Sequence, residues 1–398
     1  MEVRGQTEPT GPDGGKKRGR LAFLDSLRGV AALYVVAFHL LYVPTQPPTT
    51  GNWILTRIAD FGGTGVFLFF LISGFSLSLT MPRHDRTTWP AASYAVSRLF
   101  RIVPLFYLML AVFLVRAPLL HQPTKGPFEI LVNLLMIFNF FPWKQEGIVW
   151  ASWTIGVEML FYVAFLPIFR MRLSYKVAIA AVTAGGFAVF APIFDSLYPK
   201  YALLTYFSVA GFISFFILGM LAHDLYVALE RRPDAVRIGK WMAAGGTAAL
   251  FLILLIGKSG GNVNFRPPIA LAYGALLVGC GLWRPRLLEG RPLRFYGKVS
   301  YSLYLLHPLV LFHLSPVFRA VLARSSGTAA YVVCLAIAYL AVTVLAAFTY
   351  RFVEAPGIRL GAKVLNLCLA WRDRRRPGRI DHIQAEIGQG PPAADRNW

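Results

Sequence analysis

Apolar runs recur along the chain, separated by short polar stretches rich in Lys and Arg. They fall at about 22–43, 61–81, 99–117, 128–142, 150–169, 176–194, 202–223, 240–257, 267–283, 298–318 and 329–350. Roughly 20 apolar residues suffice for a helix to cross the hydrocarbon core of a bilayer. The pattern therefore predicts an all-α, polytopic membrane protein. One run stands apart. The segment 128–142 is short, holds Asn133 and Asn139, and ends at Pro142. It reads as a re-entrant or interfacial piece, which leaves ten transmembrane helices.

Composition agrees. Of 398 residues, 56% are hydrophobic and only 15% charged, against about 25% charged in soluble domains. No long polar linker divides the runs, so one membrane domain is expected over 21–356. A basic cytoplasmic tail, disordered, precedes it at 1–20, and a second basic cytoplasmic tail, also expected to be disordered, follows at 357–398. A cleaved signal peptide fits poorly, because the first run holds Asp25, Arg28 and His39 and lacks a small-residue cleavage site. The three cysteines, Cys280, Cys334 and Cys368, show neither pairing nor metal-ligand spacing and read as small apolar filler. No metal is expected.

A net charge of +21 raises nucleic acid as a partner, but the distribution argues against it. With the N-terminus inside and 128–142 not crossing, 30 of the 40 basic residues fall in inside segments and nine outside. Arg28 lies within the first span. That is the bias by which cytoplasmic loops orient membrane proteins. If 128–142 crossed, every later loop would invert.

Ionisable groups inside spans are costly and usually functional. Arg28 and His39 are eleven residues apart, which returns a helix to within about 20° and separates them by roughly 16 Å. Asp25 lies one turn before Arg28 and can pair with it, so a simple orienting charge pair also explains those two. Ser73 and Gly74 lie mid-span and suit close helix packing. Arg98 and Arg101, one turn apart at the inner mouth of the third span, suit a phosphate or pyrophosphate, or simply set topology. Glu158 sits deep in the fourth span. Tyr304 and His307 are one turn apart in the ninth. Arg351 and Glu354 stand at the inner edge of the tenth. His39, Glu158 and His307 share a predicted depth, with Arg28, Arg98, Arg101 and Arg351 ringing the cytoplasmic side. A mid-membrane His near a carboxylate can act as general base toward a hydroxyl.

In order and spacing, "FLDSLRGVAALYVVAFH", "GVFLFFLISGF", "RLFRIVP", "WTIGVEMLFY", "VSYSLYLLHPL" and "YRFVEAP" resemble the acyltransferase-3 family of integral membrane O-acyltransferases. The resemblance covers Leu21 to about Pro356. It implies ten spans in a bacterial inner membrane, both termini cytoplasmic. It implies transfer of an acyl group, usually acetyl, from cytoplasmic acyl-CoA to a hydroxyl. The acceptor it implies is a cell-surface or exported carbohydrate. It makes Arg28 and His39 essential and puts Arg98 and Arg101 at the donor. Three positions depart from the common pattern. Ser26 stands where Gly is common, Met159 where many relatives carry a second carboxylate, and Leu306 where Trp is frequent. These blur the acceptor.

On this reading the donor phosphates dock on Arg98 and Arg101, and His39 either deprotonates the acceptor or briefly carries the acyl group. Glu158, His307 and Tyr304 orient the acceptor or tune His39, and 128–142 forms an outer lid or groove. Two rivals remain. One is O-acylation of a secreted small molecule such as a macrolide. The other, from a different class, is a transporter or lipid flippase, which would predict inverted repeats and paired broken helices.

Overall fold

Residues 21–256 and 265–374 are described in a computed structural model. Among them every regular element is a helix. The predicted tail 1–20 and residues 375–398 lie outside the described residues. α1 (Ala22–Leu40) is followed by α2 (Trp53–Phe61), which runs through a short turn into α3 (Gly65–Asp85). α4 (Pro90–Leu119) is long, and α5 (Pro127–Leu134) is short. Then come α6 (Trp153–Phe169), α7 (Leu173–Leu197), α8 (Ala202–Tyr206), α9 (Ile213–Leu229), α10 (Ala235–Ile256) and α11 (Arg266–Trp283). The chain ends in α12 (Arg291–Lys298), α13 (Ser300–His313), α14 (Ser315–Leu322), α15 (Gly327–Thr349) and α16 (Ala355–Arg374).

Among the described residues seven helices are long and apolar enough to cross a membrane, or eight if α13 and α14, bent by 57° where they meet, count as one span. α6, with 17 residues, is a shorter apolar helix. The chain is therefore a multi-pass membrane protein. α5 has eight residues, about 12 Å of helix, and cannot cross alone. After it the chain turns and makes only a short 3-10 segment at Phe138–Phe140.

α1 is central. It packs on α3, α12, α13 and α15, and Ala31, Ala32, Val35, Val36 and Leu40 are buried. Between spans the attraction comes chiefly from close van der Waals contact, so small residues decide where helices meet. Gly29 of α1 and Gly297 of α12 meet in this way: a Cβ on Gly297 would sit 1.8 Å from the Asp25 carbonyl oxygen. Gly74 of α3 and Gly219 of α9 form the second close crossing, against the carbonyls of Phe216 and Leu71. The expectation that Gly74 permits close packing holds.

Contacts between helix ends sort the loops into two faces. At one face Arg170 bridges Asp85 at 3.7 Å, Lys176 bridges Asp224 at 3.0 Å, and Ser26 donates to the Leu288 carbonyl at 2.5 Å. At the other, Thr45 N–H donates to Ser315 Oγ at 3.1 Å and Thr328 Oγ1 to the Thr50 carbonyl at 2.6 Å. The first face carries the loops expected to be cytoplasmic.

The tail expected to be disordered from 357 is instead helical to Arg374. A π-helical turn, Tyr350–Glu354, joins α15 to α16. α16 packs on the first half of α4, with Gly357 against Pro104 and the Arg372 guanidinium 5.0 Å from the Trp89 ring centre. Its near-equal mix of polar and apolar residues reads as tail by composition. The apolar flank of α4 gives the helix a surface, and packing rather than propensity decides.

Candidate active site

Three cavities follow one another through the bundle. The first, about 460 Å³, opens at the basic face and is walled by Asp25, Arg28, Arg83, Arg98, Arg101, Lys298 and Glu354 among others. The second, about 70 Å³, shares Arg28, Ser76, Arg98 and Arg101 with the first and adds Ser73, Glu158, Tyr162, Tyr301 and Tyr304. The third, about 280 Å³, shares Val66 and Tyr304 with the second and is lined by His39, Glu146, Trp150 and Trp153 toward the other face. Arg28 and His39 thus lie at successive stages of one route, as their spacing on α1 implied.

The inner two cavities are electropositive. Arg28 is held by Asp25 at 3.5 Å and donates to Ser76 Oγ at 2.8 Å. Arg98 Nη2 donates to Thr80 Oγ1 at 3.3 Å, while its buried Nε has no hydrogen-bond partner. Five cationic side chains and two carboxylates wall the first cavity, so a polyanion is favoured there. Glu158 faces the second cavity, where its Oε1 accepts from Ser73 Oγ at 2.7 Å and from Tyr162 OH at 2.5 Å.

His39 and His307 are in direct contact. His39 Nδ1 lies 3.0 Å from the Val35 carbonyl and 3.1 Å from His307 Nε2. His307 is fully buried, with Nδ1 2.5 Å from the Tyr304 carbonyl. A carbonyl can only accept, so each Nδ1 carries the proton when the rings are neutral. His307 Nε2 is then an acceptor for His39 Nδ1–H, and His39 Nε2 keeps its lone pair. Tyr304 OH accepts from Thr154 Oγ1 at 3.0 Å and donates to the Ala151 carbonyl at 3.2 Å. Ala151 lies in the left-handed region at φ 63°, in the loop that walls the third cavity. That loop is pinned by Asn133, which accepts from Ile148 N–H, and Asn139, which donates to the Trp153 carbonyl. The short segment around 128–142 therefore supports the wall of the third cavity.

The predicted residues separate into two groups. His39, His307 and Tyr304 come together. Arg28, Asp25, Ser73, Arg98, Arg101 and Glu158 gather at the two inner cavities, and Glu158 is not brought to His39. Glu354 joins the inner group: it is buried and accepts from Ser302 Oγ at 2.9 Å. Arg351 does not. It is exposed, with its guanidinium 5.8 Å from the Phe352 ring centre, because the wider π-helical turn puts it and Glu354 on different faces. Sequence reasoning passed over Ser76, Thr80, Tyr162, Thr154 and Lys298. Ser73, Ser76 and Thr80 repeat at helical spacing along an apolar span, and that polar stripe is the signal that could have found them. Among the described residues no group of three or more His, Cys, Asp or Glu is placed to hold a metal.

A multi-pass helical bundle with a polar route through its core, ending at a buried histidine pair, is the class that these features define. The chain belongs to the acyltransferase domain family Acyl_transf_3, which it matches over residues 21–348. It is 24% identical over 401 residues to "Putative O-acetyltransferase SAR0937" of Staphylococcus aureus (strain MRSA252), with 91% of this chain covered. The chain spans about 60% of the length of that relative. It is 27% identical over 318 residues to the exopolysaccharide production protein ExoZ of Rhizobium meliloti (strain 1021), covering 75% of this chain and 90% of the relative. It is 28% identical over 340 residues to nodulation protein 10 of Rhizobium leguminosarum bv. viciae, covering 76% and 86%. No solved structure matches the chain.

Proposed function

We propose that the chain is a membrane O-acyltransferase that moves an acyl group, most simply acetyl, from cytoplasmic acyl-CoA to a hydroxyl of a cell-surface or exported carbohydrate. The observation that carries this reading is the route itself: a cationic vestibule at one face, a narrow middle chamber, and an outer cavity holding a histidine with a free ring nitrogen. The name of the Staphylococcus aureus relative supports O-acetyl transfer, and that of the exopolysaccharide production protein supports a carbohydrate acceptor. The membrane is crossed ten times, with both termini in the cytoplasm.

In this mechanism the donor phosphates lie against Arg83, Arg98, Arg101 and Lys298, with Arg28 further in. The thioester arm threads the middle chamber past Ser73 and Glu158. The acceptor enters the outer cavity. His39 Nε2 takes the acceptor's hydroxyl proton as its oxygen attacks the thioester carbonyl. The carbon–sulfur bond breaks, and the CoA thiolate leaves and takes up that proton. His307 holds the His39 tautomer by accepting from Nδ1–H. Glu158 belongs to the donor arm rather than to the base, which revises the role expected from its depth. A positioned base contributes about 10²–10⁴-fold.

The test is transfer of radiolabel from acetyl-CoA by purified protein, together with mass spectrometry of surface glycans from a deletion strain. His39→Ala is expected to lose transfer by at least about a hundredfold at unchanged membrane abundance. Full activity in that variant, or no acetyl-CoA consumption by the wild type, would refute the reading.

A further inference from the structure

Away from the route, α4, α13 and α15 enclose an apolar groove of about 720 Å³. Its walls include Val112, Val115, Leu119 and Leu309. Val112, Val115 and Leu119 are exposed to what surrounds the bundle, which for these spans is lipid. Arg116, one turn from the end of α4, also lines the groove. It is 8% exposed, and its Nε and Nη2 are buried with no hydrogen-bond partner. Its guanidinium lies over Phe113 at 5.8 Å, Trp150 at 5.1 Å and Phe312 at 4.9 Å. Among the described residues no carboxylate forms an ion pair with it.

A buried guanidinium without an anion is expensive, and three ring faces offset that cost only in part. A guanidinium with two unused donors, lining a lipid-facing apolar groove, calls for an anion carried on an apolar body. We propose that this groove is a binding site for an anionic glycerophospholipid, its headgroup phosphate accepting from the Arg116 guanidinium and one acyl chain lying along α4. A groove of this size falls within the roughly 300–1,000 Å³ of small-molecule sites. Arg–phosphate pairs are the strong, geometrically specific kind. A bilayer phospholipid is favoured as occupant because it is the amphiphile every membrane supplies, and the groove opens where its chains are. Trp150 joins the site to the outer cavity, since it stacks on Arg116 and also lines the cavity of His39.

The probe is native mass spectrometry of the detergent-solubilised full chain. Phosphatidylglycerol, phosphatidylcholine and a polyprenyl monophosphate are added in pairwise competition. The wild type is expected to retain one phosphatidylglycerol about tenfold in preference to phosphatidylcholine. Arg116→Gln should bring that ratio to about one, and Arg116→Lys should keep most of it. Val112→Trp, which fills the groove and leaves the charge, should reduce retention of both phospholipids. Equal retention of the two phospholipids by the wild type overturns the proposal, as does an unchanged ratio in Arg116→Gln. Preferential retention of the polyprenyl phosphate overturns it too, in favour of that other lipid. The readout is independent of acyl transfer, so it stands or falls separately from the function above.

Discussion

His307 shows how one side chain governs another. It lines none of the three cavities, yet its Nε2 lies 3.1 Å from His39 Nδ1. In the proposed mechanism its role is therefore positional: by accepting from His39 Nδ1–H it favours the tautomer that leaves His39 Nε2 basic. His307→Phe keeps a ring of comparable size and removes the acceptor. Turnover is expected to fall on the order of tenfold to a hundredfold, less than the loss of the base itself, while KM for acetyl-CoA stays unchanged. A wild-type kcat would dismiss the tautomer argument, and a raised KM would point to donor contact instead. The middle chamber offers a second test. At about 70 Å³ it leaves little spare room, so Ser73→Phe should block the thioester arm and cut turnover at least tenfold. Ser73→Ala, which only frees one hydrogen bond to Glu158, should lose far less; equal losses would count against a threaded donor. Much of this site was legible in the sequence, because charge inside an apolar span is conspicuous. The contact between His39 and His307 was not, since helices α1 and α13 meet only through the fold.

Element positions were the more readable part, because a run of apolar residues forces the backbone to satisfy itself as helix. The irregularities were not readable. The bend between α13 and α14, the π-helical turn before α16 and the docking of α16 on α4 all depend on neighbours. Helix crossings carry their own prediction. A Cβ on Gly219 would lie 2.1 Å from the Leu71 carbonyl oxygen, and that contact is backbone, which cannot swing away. Gly219→Leu should force α3 and α9 apart and destabilise the fold by about 1–3 kcal/mol or more, read as a lower melting temperature and lower yield in detergent. An unchanged melting temperature would mean the crossing is loose. Outside the spans, the outer loop is tied by Glu129, which meets Lys144 at 2.9 Å and Lys125 at 3.1 Å. Partial burial alone would raise its carboxyl, but hydrogen bonds and charge from Lys144 and Lys125 hold it below the ordinary 4.5. The clamp therefore stabilises the loop fully above that ordinary value and is lost as pH falls through the lowered one. Glu129→Gln should cost less than about 1 kcal/mol at neutral pH, as expected of a solvent-screened pair, and the difference from wild type should vanish in acid. A gap that persists or widens once the carboxyl is protonated would show that the ion pairs are not its source.

At the scale of the whole molecule, charge and geometry draw the same line. The face where Asp85 meets Arg170 and Lys176 meets Asp224 is the one whose loops hold most of the basic residues. The face where Thr50 meets Thr328 is poor in them. Positive loops stay in the cytoplasm, so in the proposed topology the first face is inside and the cationic vestibule opens toward the cytoplasmic acyl-CoA that the proposed function requires. The span count follows if the 17-residue α6 and the 18-residue α11 cross as the long helices do. Each links loops on opposite faces: α6 begins beside the outer wall at Trp153 and ends beside Arg170. About 17 residues is the lower limit for a crossing helix, which is why length and composition alone stop at seven or eight. Single cysteines decide the matter. Cys280 and Cys334 are buried and only Cys368 is partly exposed, so a Cys368→Ser background should be silent toward maleimides. In that background Arg172→Cys is expected to react with a membrane-impermeant maleimide only after the cells are opened, whereas His121→Cys and Ser325→Cys should react in intact cells. Labelling of Arg172→Cys from outside would mean that α6 does not cross, and the ten-span topology, with the inward-facing vestibule that depends on it, would fall.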